Sequence, residues 1–230
     1  MVQAFAATDM NNLVIGVPFL LGTMWLARQN KLIGLLLWPG ALLFIAYHAV
    51  VYVYVLPLSW MLLVYNAILV LSIYVLVALY AGIDTAIVAE QLRGRVPARM
   101  GGAVLAGLGM LILLRNLGVV ATAILSESTI PGAELGVLIS DFIFVPAWMI
   151  GGVLLWRGSA LGYVLAPGLL FQATMLFVGL IAWLLLSPLI AGMPLALVDI
   201  AVIFIMGLIC FIPFGLTARG VLASSIQDTP

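Results

Sequence analysis

Seven side chains in this sequence could do chemistry in an apolar medium: His48, Asn66, Arg115, Asn116, Asp141, Gln172 and Asp199. Each lies within a long apolar run. A charged side chain at membrane depth costs roughly 2.5–3.5 kcal/mol by insertion scales, so such groups face protein or a water-filled cavity. Arg115 and Asp141 are expected at similar depth on two helices joined by a short loop, which suits a bidentate ion pair. The pair either fixes helix packing or leaves Arg115 to bind an anionic group. His48, Asn66 and Asp199 also share an approximate depth. A lone histidine in an apolar helix is ordinarily a hydrogen-bonded packing residue, although it is the side chain most easily titrated near neutral pH. If these residues converge, with Gln172 nearest the middle, they line a polar cavity that could take a cation or a polyol, with Arg115 suited to an anion.

Other chemistry is excluded by residue type. One histidine cannot ligate a haem from both sides or supply a multi-histidine metal site. The lone Cys210 rules out an internal disulfide and dithiol chemistry. The only lysine, Lys31, falls in a loop, so no helix offers a retinal Schiff base. There is no Gly-x-Ser-x-Gly elbow and no aspartate-rich pair for a prenyl diphosphate; Ser140 beside Asp141 is a thin basis for hydrolysis. No catalytic residue, metal ligand or cofactor is expected, and no basic block suggests nucleic acid.

The elements that must position these side chains are membrane helices. The chain of 230 residues is 66% hydrophobic and 7% charged, with no net charge and a mean hydropathy of +1.35. A soluble domain carries roughly a quarter charged residues, so this composition cannot build a water-facing surface. The apolar runs do not alternate as barrel strands do, and with no water to solvate the backbone, helices remain. The whole chain is expected to be one transmembrane domain, its first run lacking the features of a signal peptide.

The breaks predict seven transmembrane helices over 11–28, 32–56, 58–83, 101–125, 134–156, 160–187 and 194–217. With seven spans, Arg28, Lys31, Arg93, Arg95, Arg99, Arg157 and Arg219 fall on one side, while Asp9, Glu127 and Glu134 fall on the other. The positive-inside rule then puts the N-terminus outside and the C-terminus in the cytoplasm. The expected setting is multi-pass, in a plasma membrane of prokaryotic type. Residues 84–100 read as a cytoplasmic linker with a short amphipathic helix ended near Pro97, ordinarily solvated, and 218–230 as a polar tail.

A second pattern overlies the first. Val17 to Gly40 shifted by 128 residues falls on Val145 to Gly168, matching Pro18 with Pro146, Gly34 with Gly162, Pro39 with Pro167 and Gly40 with Gly168. This predicts a 3+1+3 parallel internal repeat: 11–83, the linker helix 101–125, and 134–217. Helices 1–3 and 5–7 would be related about the membrane normal, with Pro18, Pro39, Pro146 and Pro167 as candidate hinges. Gly132-x-x-x-Gly136 and Gly158-x-x-x-Gly162 would permit close helix contact or a homo-oligomer.

The layout resembles that of the sugar-transporting SWEET proteins in count, orientation, linker helix and prolines in helices 1, 2, 5 and 6; their Pro-Gln dipeptides are absent here. It is also similar in count and orientation to microbial rhodopsins, without their retinal lysine. These are resemblances of layout only. The leading expectation is a transporter or channel-like protein for a small polar solute or ion, because paired Pro-interrupted helices in two halves mark such sites. The alternative is a non-catalytic module: a sensor, a lipid or pigment binder, or an accessory subunit of a larger membrane complex. An enzyme comes third.

Overall fold

The computed structural model describes residues 9, 10, 12–192 and 195–225. They form eight helices: α1 (Asn12–Arg28), α2 (Leu32–Val55), α3 (Trp60–Ala81), α4 (Thr85–Leu92), α5 (Ala98–Leu125), α6 (Gly132–Trp156), α7 (Ala160–Ala191) and α8 (Leu197–Ser225). Six of these, α2, α3 and α5–α8, are long and apolar enough to cross a membrane. α1 is shorter. Its 12 residues of regular helix follow a five-residue π turn, roughly 25 Å in all against a hydrocarbon core of about 30 Å.

α2 and α7 form the centre. α2 packs against α1, α3, α6, α7 and α8, and α7 packs against α2, α4, α5, α6 and α8. Their shared core includes Leu36, Phe44, Leu170 and Met175, joined by Leu105 of α5 and Leu155 of α6. The periphery is bare. α3 touches α2 alone among the described elements, and Ser72 is its one buried residue. Its Trp60 and Tyr74, like Leu125 of α5, are strongly exposed. In water such a surface would drive collapse; in lipid it costs nothing, because acyl chains solvate it as well as another helix would.

Glycine sets the closest approaches. A methyl group on Gly40 would overlap the carbonyl oxygen of Gly168, so the two Pro-Gly steps of α2 and α7 cross backbone to backbone. Gly102 of α5 and Gly152 of α6 meet in the same way.

The turns after α1 and α6 share one geometry. Gln29 N–H donates to Trp25 O, Asn30 N–H to Ala27 O and Lys31 N–H to Leu26 O; Arg157, Gly158 and Ser159 donate to Val153, Leu155 and Leu154. Every atom pair recurs 128 residues on. Asn30 (φ 59°) and Gly158 (φ 69°) both take the left-handed conformation that closes such a helix end.

Several expectations need correction. The linker does hold a short helix, but one packed on the bundle rather than solvated: α4 starts on the Asp84 carboxylate, which accepts from the N–H groups of Ala86 (2.9 Å) and Ile87 (3.2 Å). It buries Val88, Ala89 and Leu92 against α7 and α8, and it ends before Gly94 (φ 81°) rather than at Pro97. α7 runs past Ser187 with Pro188 inside it, and α8 continues through Arg219 to Ser225, so the start of the supposed polar tail is helical. Residues 226–230 lie outside the described residues. Pro39, Pro146 and Pro167 sit within continuous helices. Pro18 instead occupies the first turn of regular helix, where a missing N–H is harmless.

Candidate functional site

Asp141 is the ninth residue after Gly132 on α6, roughly 14 Å along the helix. At that depth the residue is 8% exposed and its carboxylate accepts two hydrogen bonds. Tyr47 Oη of α2 donates to Oδ1 at 2.8 Å, and Asn116 Nδ2 of α5 donates to Oδ2 at 3.0 Å. Arg115 does not reach it directly. Its Nη1 donates to Asn116 Oδ1 at 3.0 Å, so the expected Arg–Asp pair is instead a relay through an amide. The reason is helical phase. Neighbouring residues project about 100° apart; Asn116 takes the buried direction toward α6, and Arg115 is exposed.

A second polar group lies deeper in the packing. Gln172 of α7 is fully buried. Its Oε1 accepts from Trp148 Nε1 of α6 at 3.0 Å, and its Nε2 donates to Leu43 O of α2 at 3.3 Å. Ser140 adds a third link, with Oγ placed 3.0 Å from Gly136 O on its own helix and 3.2 Å from Tyr47 O. Together these contacts clasp α2, α5, α6 and α7. Each polar atom named here is satisfied inside the chain, as buried polar groups must be.

The remaining candidates do not converge. His48 Nδ1 donates to Phe44 O, one turn back on its own helix, at 2.9 Å, with its ring against Phe44 and Tyr47. Asn66 Nδ2 donates to Leu62 O, also one turn back, at 2.9 Å. Asp199 lies in the first turn of α8 and is exposed, where a carboxylate favours the helix N-terminus; its expected depth was wrong because the helix begins at Leu197. α3 and α8, which carry Asn66 and Asp199, do not touch among the described residues.

Three participants escaped the sequence reading. Tyr47 and Trp148 look like core or belt aromatics until their polar tips meet Asp141 and Gln172. Asp9, read only as an outer charge, accepts from Tyr52 Oη at 2.6 Å and Tyr65 Oη at 2.8 Å, the two rings being stacked 4.2 Å apart. A tyrosine at helical spacing carries no polar signal until a partner is known.

The clefts lie elsewhere. One, of about 920 Å³, is lined by Arg99, Met100, Ala103, Val153, Trp156 and Arg157. Another, of about 390 Å³, is lined by residues that include Asn30, Lys31, Gln91 and Ser224. Both belong to the end of the bundle where Arg93 Nη2 donates to Gly158 O at 3.4 Å. No protein-family model, curated protein or solved structure matches this chain.

Proposed function

We propose that this chain is a non-catalytic membrane module that acts by binding, as a sensor, a lipid or pigment binder, or an accessory subunit of a larger membrane complex. One observation carries the reading: the polar side chains at membrane depth are used in helix packing. Asp141, Asn116 and Gln172 hold four helices together, while His48 and Asn66 bond to carbonyls of their own helices. The exposed Arg115 and the bare α3 offer faces to a second membrane component.

In this reading seven helices cross a plasma membrane of prokaryotic type, with α1 completing the set, the N-terminus outside and the C-terminus in the cytoplasm. The distribution of Lys and Arg supports that orientation. The 3+1+3 repeat is part of the proposal. It is supported by the turns, which share three backbone hydrogen bonds at an offset of 128, and by the contact of Gly40 with its counterpart Gly168. A residue that touches its own equivalent lies close to the axis that would relate α2 to α7.

A second reading, a transporter or channel-like protein for a small polar solute or ion, is favoured by that same crossing, since corresponding Pro-Gly steps in two halves are where such proteins open. Flux separates the two. Proteoliposomes of the full chain are expected to release monovalent ions, sugars and polyols no faster than protein-free vesicles. A saturable flux that is lost on Asp141→Asn would replace the module with the transporter.

A further inference from the structure

We propose that the cleft between the start of α5 and the end of α6 binds the phosphodiester headgroup of an anionic membrane lipid. Its mouth carries two cations, Arg99 from the first turn of α5 and Arg157 just beyond the last turn of α6. Both are exposed. Among the described residues no carboxylate lies within ion-pair distance of either, so their guanidinium donors are available for a planar, bidentate fit to phosphate oxygens. α5 also opens with no side-chain cap; Ala98 N–H is taken by Val96 O, which leaves the N–H groups of Arg99 and Met100 and the positive end of a 28-residue helix to favour an anion.

The walls point to a lipid rather than a free anion. The rest of the lining is an apolar strip of Met100, Ala103, Val153 and Trp156. Trp156 is 56% exposed and Val153 38%. Inorganic phosphate gains nothing from that strip, whereas an acyl chain attached to the headgroup would lie along it. A basic cleft between transmembrane helices, opening sideways to the bilayer, is the arrangement that retains an anionic lipid.

The test uses the full chain in phosphatidylcholine vesicles with a rising fraction of phosphatidylglycerol, the acyl chains of one lipid or the other being brominated. Bromine quenches nearby tryptophan, and the Trp156→Phe variant isolates the share of Trp156. Brominated phosphatidylglycerol is expected to quench that share at a mole fraction about thirtyfold lower than brominated phosphatidylcholine, the preference expected of two basic contacts with an anionic headgroup. Arg99→Gln with Arg157→Gln should abolish the preference. Native mass spectrometry of the otherwise unaltered chain gives a readout that does not depend on Trp156→Phe: phosphatidylglycerol should be retained over phosphatidylcholine by the parent and not by the double glutamine variant. Equal quenching by the two lipids, or a preference that survives the double variant, overturns the proposal. So does displacement of brominated phosphatidylglycerol by millimolar inorganic phosphate, which would mark a site for soluble anions.

Discussion

Replacing Asp141 with leucine would strand two buried donors, Tyr47 Oη and Asn116 Nδ2, at about 1–3 kcal/mol each. Asp141→Leu is therefore expected to lower stability by about 2–6 kcal/mol, read as a fall in the thermal midpoint of the detergent-solubilised chain. Tyr47→Phe removes one donor and leaves Asn116 in place, so it should cost about 1–2 kcal/mol. Arg115→Leu strands one buried acceptor, Asn116 Oδ1, and leaves both donors to Asp141 in place, so it should cost about 1–2 kcal/mol, less than Asp141→Leu. A large loss on Arg115→Leu would mean that the guanidinium, not the amide, holds Asp141. Gln172→Leu tests the second clasp: it strands the Trp148 Nε1 donor and should cost about 1–3 kcal/mol.

At the scale of the element, the crossing of α2 and α7 is the contact least able to yield. Gly40→Ala drives a methyl into the Gly168 backbone, whereas a methyl on Gly168 meets Leu36 O at 3.0 Å and Gly40 N at 3.2 Å. Gly40→Ala is expected to destabilise by about 1–3 kcal/mol or more and Gly168→Ala by less, measured as resistance to unfolding in detergent. Equal tolerance of both would show that the helices do not cross there. The helices themselves were legible because apolar runs of bilayer length end at polar turns, and the starts at Leu32 and Ala160 match the expected residues. The interior of the site was not legible. Sequence depth brought Arg115 and Asp141 together, but depth says nothing of helical phase, and phase gives the bond to Asn116. The place of Asp199 depended on the helix start, which falls at Leu197, two residues before it. Residues 193 and 194, in that expected break, lie outside the described residues.

At the scale of the whole molecule, the described residues form a helical body with an apolar exterior, its central helices joined to one another by buried polar contacts. A transport site at those contacts would require water to reach them from one face or the other in some state of the cycle. Ser140 reports on this independently of any solute: it is fully buried at the Tyr47–Asp141 contact, and serine to cysteine is a small change. Ser140→Cys in a Cys210→Ala background, in sealed vesicles of either orientation, should react with a membrane-impermeant maleimide no faster than native Cys210, itself fully buried. Ser128→Cys, at an exposed turn, should label readily from one face. Protection of Ser140→Cys from both faces is the result the account predicts; labelling from either face, at a rate approaching that of Ser128→Cys, would contradict it.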